Sequence, residues 1–174
     1  MTEKAALVLI DVQANMFDPA NPVEGAGPLL ERLGGLLRRA RDAGAPVVFV
    51  RNNGGPEDPD SPNSPGWELQ LPPGPGDVVL DKTTCNTFES TSLEGELKAR
   101  GVTRLVIAGL QSDYCVRETT LGALQLGYPV TLASDGHSTY AGKTITAAEI
   151  SAAVNHELAK GASLIPVGAI DFAE

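Results

Sequence analysis

Asp11, Lys82 and Cys115 carry the three side chains in this 174-residue sequence that could together run nucleophilic chemistry. The thiolate is the reactive form of cysteine, and a free thiol is only slightly ionised at neutral pH. A neighbouring carboxylate can take its proton, and an ammonium can stabilise the anion that remains. Cys115 has a third aid, because the helical pattern starting near Val116 would offer free N–H groups and the positive end of a dipole. Each residue also has an ordinary structural role when taken alone. A strand-terminal aspartate caps a turn, a lysine after a strand is a solvated rim charge, and a free cysteine packs in a core. Chemistry requires that all three meet, which depends on the elements that carry them.

Those elements are legible from period. Ala5–Asp11, Val47–Arg51, Val78–Asp81, Leu105–Gly109 and Val130–Ala133 are Val/Ile/Leu-rich runs of strand length, with Ser163–Pro166 a weaker sixth. Between them Pro28–Ala43, Ser92–Arg100, Val116–Leu126 and Ala147–Lys160 place apolar residues at three- and four-residue spacing. These end near Gly44, Gly101, Gly127 and Gly161, which suit helix C-caps. Strand and helix alternating throughout predict one domain, residues 1–174, a three-layer α/β fold with a six-stranded, mainly parallel sheet. In such sheets ligands bind beyond the carboxyl ends of the strands, near the point where strand order reverses. Asp11 closes the first strand, Lys82 follows the third, Cys115 comes shortly after the fourth, and Asp135 with His137 closes the fifth. All fall on one edge.

Composition narrows the partners. Thirteen Lys plus Arg against 22 Asp plus Glu give a net charge of −9, which repels nucleic-acid backbones and anionic lipid surfaces. The longest apolar run, Ala5 to Ile10, is far short of the roughly 20 residues of a membrane span, and the N-terminus lacks a signal-like pattern. A cytoplasmic setting is therefore expected, with no nucleic acid and no membrane as partner. Cys85 and Cys115 are expected to be free thiols there. Asn52 to Gly76 has no period and is rich in Pro, Gly and acids, so a long loop is predicted. It holds the only tryptophan, Trp67, and is read as a lid or an oligomer contact, with a plain surface excursion as the alternative.

Three separated motifs then carry a resemblance: Ile10-Asp11-Val12-Gln13, Lys82 followed by Phe88, and Gly109-Leu110-Gln111-Ser112-Asp113-Tyr114-Cys115-Val116 with Thr119 and Gly127-Tyr128. They resemble the isochorismatase-like cysteine hydrolases, over nearly the whole chain. That group includes nicotinamidases, N-carbamoylsarcosine and ureidoacrylate amidohydrolases, lactam-opening streptothricin hydrolases and isochorismatases proper. The resemblance implies a Rossmann-like αβα sheet and an Asp-Lys-Cys triad formed by Asp11, Lys82 and Cys115. It also implies an oxyanion hole from the N–H groups of Gln111 and Cys115, and a cis peptide between Leu110 and Gln111. Nicotinamidases carry metal ligands after the second strand, where this chain has Arg51-Asn52-Asn53-Gly54. With two histidines in all, no metal and no cofactor is expected. Retention of Cys115 favours acyl chemistry, and Gln111 with the Trp67 loop is similar to the streptothricin-hydrolase-related members.

The expected function is cysteine-dependent hydrolysis of a small amide, carbamoyl or lactam compound, by a homo-oligomer (dimer or tetramer). Gln13, Phe17, Asn52, Trp67 and Phe88 are expected substrate contacts from their positions near strand ends. His137 is expected in the pocket, with a turn or interface role as its alternative. Cys85 is read as unreactive and His156 as a surface or packing residue. Two other functions stay open: vinyl-ether hydrolysis of the isochorismatase type, and an inactive binding protein on the same fold. Nucleotide binding is disfavoured, because neither GxGxxG nor a Walker sequence is present.

Overall fold

The computed structural model describes residues 3–173. Six strands, β1 (Ala5–Ile10), β2 (Val47–Asn52), β3 (Val78–Lys82), β4 (Arg104–Leu110), β5 (Val130–Ser138) and β6 (Ser163–Ile165), form one sheet in the order β3-β2-β1-β4-β5-β6. Every pairing is parallel. The chain leaves β1 toward β2 on one side and later returns to place β4 on the other. The switch point is therefore between β1 and β4, where a crevice opens beyond the strand ends.

Alternation along β1 shows why its run is continuously apolar. Leu7 and Leu9 face one layer, and Ala6, Val8 and Ile10 face the other. The first layer is α1 (Ala26–Asp42), whose Leu29, Leu33, Leu36, Leu37 and Ala40 recur at helical spacing and pack on Leu7, Leu9, Phe49 and Val106. The second layer contains α3 (Leu93–Ala99), α4 (Arg117–Gln125) and α5 (Ala147–Leu158). Their Leu93, Leu97, Ala123, Val154 and Leu158 cover Val8, Ile10, Val48, Val50 and Ile107. Leu33 has no exposed surface, so truncating such a residue to alanine costs about 2–5 kcal/mol. A one-turn helix, α2 (Thr87–Ser90), was not expected; Asn86 caps it by accepting from Phe88 N–H. No helix among the described residues is long and apolar enough to cross a membrane.

Gly44, Gly101 and Gly127 take the left-handed conformation after α1, α3 and α4, as their spacing predicts. Gly161 is not in that conformation; a Cβ there would meet Leu124 at 3.0 Å, so close packing is what limits this position. The larger correction concerns β5, which continues past Ala133 to Ser138. The register with β4 shifts between Ile107 and Gly109, so Gly109 pairs with His137. Asp135-Gly136 looks like a turn signal, but here it forms an irregularity inside a strand. A Cβ on Gly136 would lie 2.6 Å from that of Ala133.

Candidate active site

Asp11, Lys82 and Cys115 meet at the switch point, and each is delivered by a local device. Asp11 follows the last residue of β1 with φ +50°, a conformation that aspartate tolerates better than most residues. Its N–H donates to Val50 O at 2.9 Å, and its own carbonyl accepts from Gln13 N–H at 2.9 Å. Lys82 ends β3, an edge strand whose other residues are partly exposed, yet Lys82 itself has no exposed surface. Register sets it beside Asn52 at the end of β2. Cys115 lies inside a wide π-helical turn, Ser112–Val116, that precedes α4. The helix expected near Val116 starts at Arg117, and the turn that holds Cys115 leads directly into it. The Tyr114 and Val116 N–H groups both donate to Gln111 O at 3.2 Å. The Leu110–Gln111 peptide that feeds this turn is cis.

Lys82 is the centre of the cluster. Its Nζ lies 3.0 Å from Asp11 Oδ2, donates to Asn52 Oδ1 at 2.9 Å, and approaches Cys115 Sγ at 3.1 Å. Burial is the largest influence on Asp11 and pushes its carboxyl up from 3.8 to about 6, while Lys82 and Cys115 pull it down. Burial also works against the Lys82 ammonium, but Asp11 and Cys115 outweigh it and its pKa is raised. Burial and then the Asp11 carboxylate push the Cys115 thiol above its usual range, with Lys82 pulling the other way. At neutral pH the resting site thus holds carboxylate, ammonium and neutral thiol. Thiolate formation needs a proton transfer at the time of reaction. Asp11 Oδ1 is buried and has no hydrogen-bond partner among the described residues.

Asp11, Cys115, Gln111 and Asn52 line a cavity of about 350 Å³, together with Asn15, Met16, Asp58, Pro59, Asp60, Cys85 and Tyr114. A second cavity of about 720 Å³ adjoins it and includes Phe17 and Tyr140. Of the expected substrate contacts, Asn52 lines the first cavity and Phe17 the second. Cys85 is exposed and lines the first cavity.

Gln13, Trp67, Phe88 and His137 line neither cavity. Gln13 is buried as a loop anchor: its side chain accepts from Asn52 N–H at 2.8 Å and donates to Asn52 O and Trp67 O at 3.1 and 3.0 Å. Trp67 stacks under the Arg51 guanidinium, 3.4 Å from its ring centroid, and donates to Asn53 Oδ1 at 2.8 Å. It pins the 52–76 loop to the body of the domain. Phe88 stacks on Tyr128, with ring centroids 6.4 Å apart.

His137, drawn into β5 by the irregularity, accepts from or donates to Ser112 Oγ through Nδ1 at 2.7 Å and meets Asn155 Oδ1 through Nε2 at 2.8 Å. Asn155 Nδ2 donates to Ser134 O at 2.9 Å, which leaves its Oδ1 as acceptor and puts the imidazole proton on Nε2. Burial lowers the pKa of His137, so it is neutral and braces the turn that holds Cys115. Residues overlooked by the sequence reading are Asn15, Asp58, Asp60 and Tyr140. Their one signal is membership of the loops after β1, β2 and β5, which border the switch point. No group of three His, Cys, Asp or Glu able to hold a metal ion occurs among the described residues.

A parallel α/β domain with a thiol, an ammonium and a carboxylate beside a cavity at its switch point belongs to the architectures that bind small molecules there. The isochorismatase domain model matches residues 5–163, and the chain belongs to the isochorismatase family. A streptothricin hydrolase from Streptomyces noursei is 46% identical over 137 residues, 78% of this chain and 50% of that protein. A second one from the same organism is 39% identical over 97% of this chain and 71% of its own length. The chain thus spans half to about seven-tenths of these relatives. The crystal structure of an isochorismatase from Pseudomonas putida KT2440 has a TM-score of 0.90 at 28% identity, covering 96% of this chain and 90% of that one. An N-carbamoylsarcosine amidase from Thermoplasma acidophilum has a TM-score of 0.82 at 26% identity, covering 96% and 98%.

Proposed function

We propose that this chain is an amidohydrolase that cleaves a small amide, carbamoyl or lactam compound through a Cys115 thioester. The observation that carries this reading is the position of Lys82 Nζ, 3.0 Å from Asp11 Oδ2 and 3.1 Å from Cys115 Sγ, with the last two residues open to one cavity. The activities for which two relatives are named, streptothricin hydrolase and N-carbamoylsarcosine amidase, support the amide bond as the target.

The thiol proton passes to Asp11 as Cys115 Sγ attacks the carbonyl carbon. The oxyanion that forms is met by the Gln111 and Cys115 N–H groups. Asp11 then gives the proton to the leaving nitrogen, the C–N bond breaks, and a thioester remains. Asp11 next removes a proton from water, which attacks the thioester, and the proton returns to sulfur as the acid leaves. A carboxyl near 6 suits both directions of transfer close to neutral pH. Lys82 keeps Asp11 ionised in the resting state and stabilises sulfur as it becomes negative. Metal independence, a cytoplasmic setting and a homo-oligomeric state, dimer or tetramer, complete the reading; chelator treatment and light scattering check the first and last.

Ammonia or amine release from a panel of small amides and lactams is the direct test. Cys115→Ala is expected to abolish turnover while leaving the fold intact, and protein quenched during turnover should carry an acyl adduct on Cys115. Efficient isochorismate cleavage that survives Cys115→Ala would replace this reading with acid catalysis by Asp11.

A further inference from the structure

The cavity shared by Asp11 and Cys115 has a one-signed lining. Asp11, Asp58 and Asp60 supply carboxylates, and no lysine, arginine or histidine lines it. The adjoining cavity adds Asp18 and again no basic residue. The two share Asn15, Met16, Pro59 and Gln111 at their border. Lys82, held by Asp11, Asn52 and Cys115, offsets the charge of Asp11 alone and leaves Asp58 and Asp60 uncompensated.

Asp60 is the group that lacks a counterpart. It is only 8% exposed, and buried charges in proteins are normally paired. Its Oδ2 accepts from Asn52 Nδ2 at 2.7 Å. Among the described residues no donor reaches Oδ1, and Asp60 is in no salt bridge. The loop is shaped around this carboxylate. Gly54 N–H donates to Asp60 O at 3.0 Å, and a Cβ on Gly54 would lie 2.0 Å from Asp60 Oδ1, so position 54 must be glycine for the side chain to lie there. A second observation on the same walls is independent of charge: the buried Oδ1 atoms of Asn15 and Asp11 also lack donors. The site offers acceptors and asks for donors.

We propose that Asp60 is a specificity residue, and that the substrate carries a cationic nitrogen, ammonium or guanidinium, which pairs with Asp60 while its amide lies at Cys115. The proposal rests on the reading of Cys115 as the nucleophile. An ammonium brings three donors and no acceptor, which complements this lining. The net charge of −9 draws cations toward such a cleft and repels anions. Amides that carry a carboxylate, such as ureidoacrylate and N-carbamoylsarcosine, and the dianion isochorismate are disfavoured by the same field. The body of a larger substrate extends over Met16 into the adjoining cavity beside Phe17 and Tyr140. The Asp60 carboxylate also pushes the Asp11 pKa upward, an effect that a bound cation would relieve.

Alkylation of Cys115 tests the subsite without knowledge of the natural substrate. Aminoethyl, propyl and carboxyethyl chloroacetamides place a cation, a neutral group or an anion at the same reach. Rates at Cys115 are read by peptide mass spectrometry and divided by the rates with glutathione. The cationic reagent is expected to exceed the anionic one by about ten-fold or more. Asp60→Asn, which can still accept from Asn52, should cut that ratio several-fold, whereas Glu31→Gln on the outer face of α1 removes the same charge and should leave it unchanged. In the wild-type protein putrescine should protect Cys115 and butanediol should not, so the subsite is tested even where Asp60→Asn fails to fold. A ratio near one, a ratio that Asp60→Asn leaves unchanged, equal protection by the diol, or Asp60-dependent protection by magnesium, calcium or zinc in place of the amine would each overturn the proposal. Turnover that survives Cys115→Ala would instead overturn the catalytic reading while leaving the alkylation ratios as measured.

Discussion

Replacing Lys82 with methionine is expected to move the titration of Asp11, and with it both activity and stability. The Lys82–Asp11 pair is 3.0 Å apart with side chains 0% and 2% exposed. At an effective dielectric constant of about 20, charges at that separation attract by about 5 kcal/mol. Methionine keeps most of the volume and removes that attraction, so the Asp11 pKa should climb from about 6 to above neutrality. Asp11 would then be protonated at pH 7 and unable to accept the Cys115 proton. We expect kcat/KM at neutral pH to fall by about a thousand-fold or more. In the wild type the acid limb of kcat/KM should have its midpoint near 6, and in Lys82→Met the limb should move up by at least about one pH unit.

The sign for stability follows from the same shift. A carboxyl whose folded pKa is raised binds its proton more tightly in the native state. Its favourable contribution is present below 3.8 and is lost as pH rises through about 6, a change of about 3 kcal/mol. The raised pKa of Lys82 acts in the opposite range: its contribution is present below 10.5 and is lost above its folded value. In Lys82→Met the Asp11 loss moves to higher pH, so urea midpoints should be higher at about pH 5 than at about pH 8. An acid limb that stays near 6 in the variant, together with pH-independent stability, would refute the coupling of these two residues.

Gly109→Ala should lower stability by about 2–4 kcal/mol in denaturant titrations, because φ is +128° and the new Cβ would lie 2.0 Å from Ile10 O. His137→Ala should cost about 1–3 kcal/mol through the orphaned Ser112 and Asn155 groups. It should also remove acid sensitivity: the lowered pKa of His137 gives stability that is present above 6.5 and lost as pH falls through its folded value, which a pH series of melting temperatures checks. Trp67→Ala removes the stack on Arg51 and the bond to Asn53, so limited proteolysis should cut within 53–76 several times faster, at a stability cost of about 1–2 kcal/mol.

Periodic apolar spacing carried most of the architecture. Leu29, Leu33, Leu36 and Leu37 announce one face of a helix, and the unbroken run from Ala5 to Ile10 announces a strand covered on both sides, because these signals depend on neighbours a few positions away. The edge on which Asp11, Lys82 and Cys115 lie followed from that alternation, since a strand's end and the loop after it are local facts. Contacts made across long separations were beyond reach. Trp67, Phe88 and Gln13 are near strand ends, yet they turn to Arg51, Tyr128 and Asn52, respectively, rather than to the cavity. The Asp135-Gly136 pair reads as a turn, but pairing of His137 and Ser138 with β4 absorbs it into β5 and sends His137 to Ser112 and Asn155. Asp60 is one acid among several in an aperiodic loop. Its burial depends on Gly54 and Asn52 closing over it, an arrangement set by tertiary packing and not by any pattern along the chain.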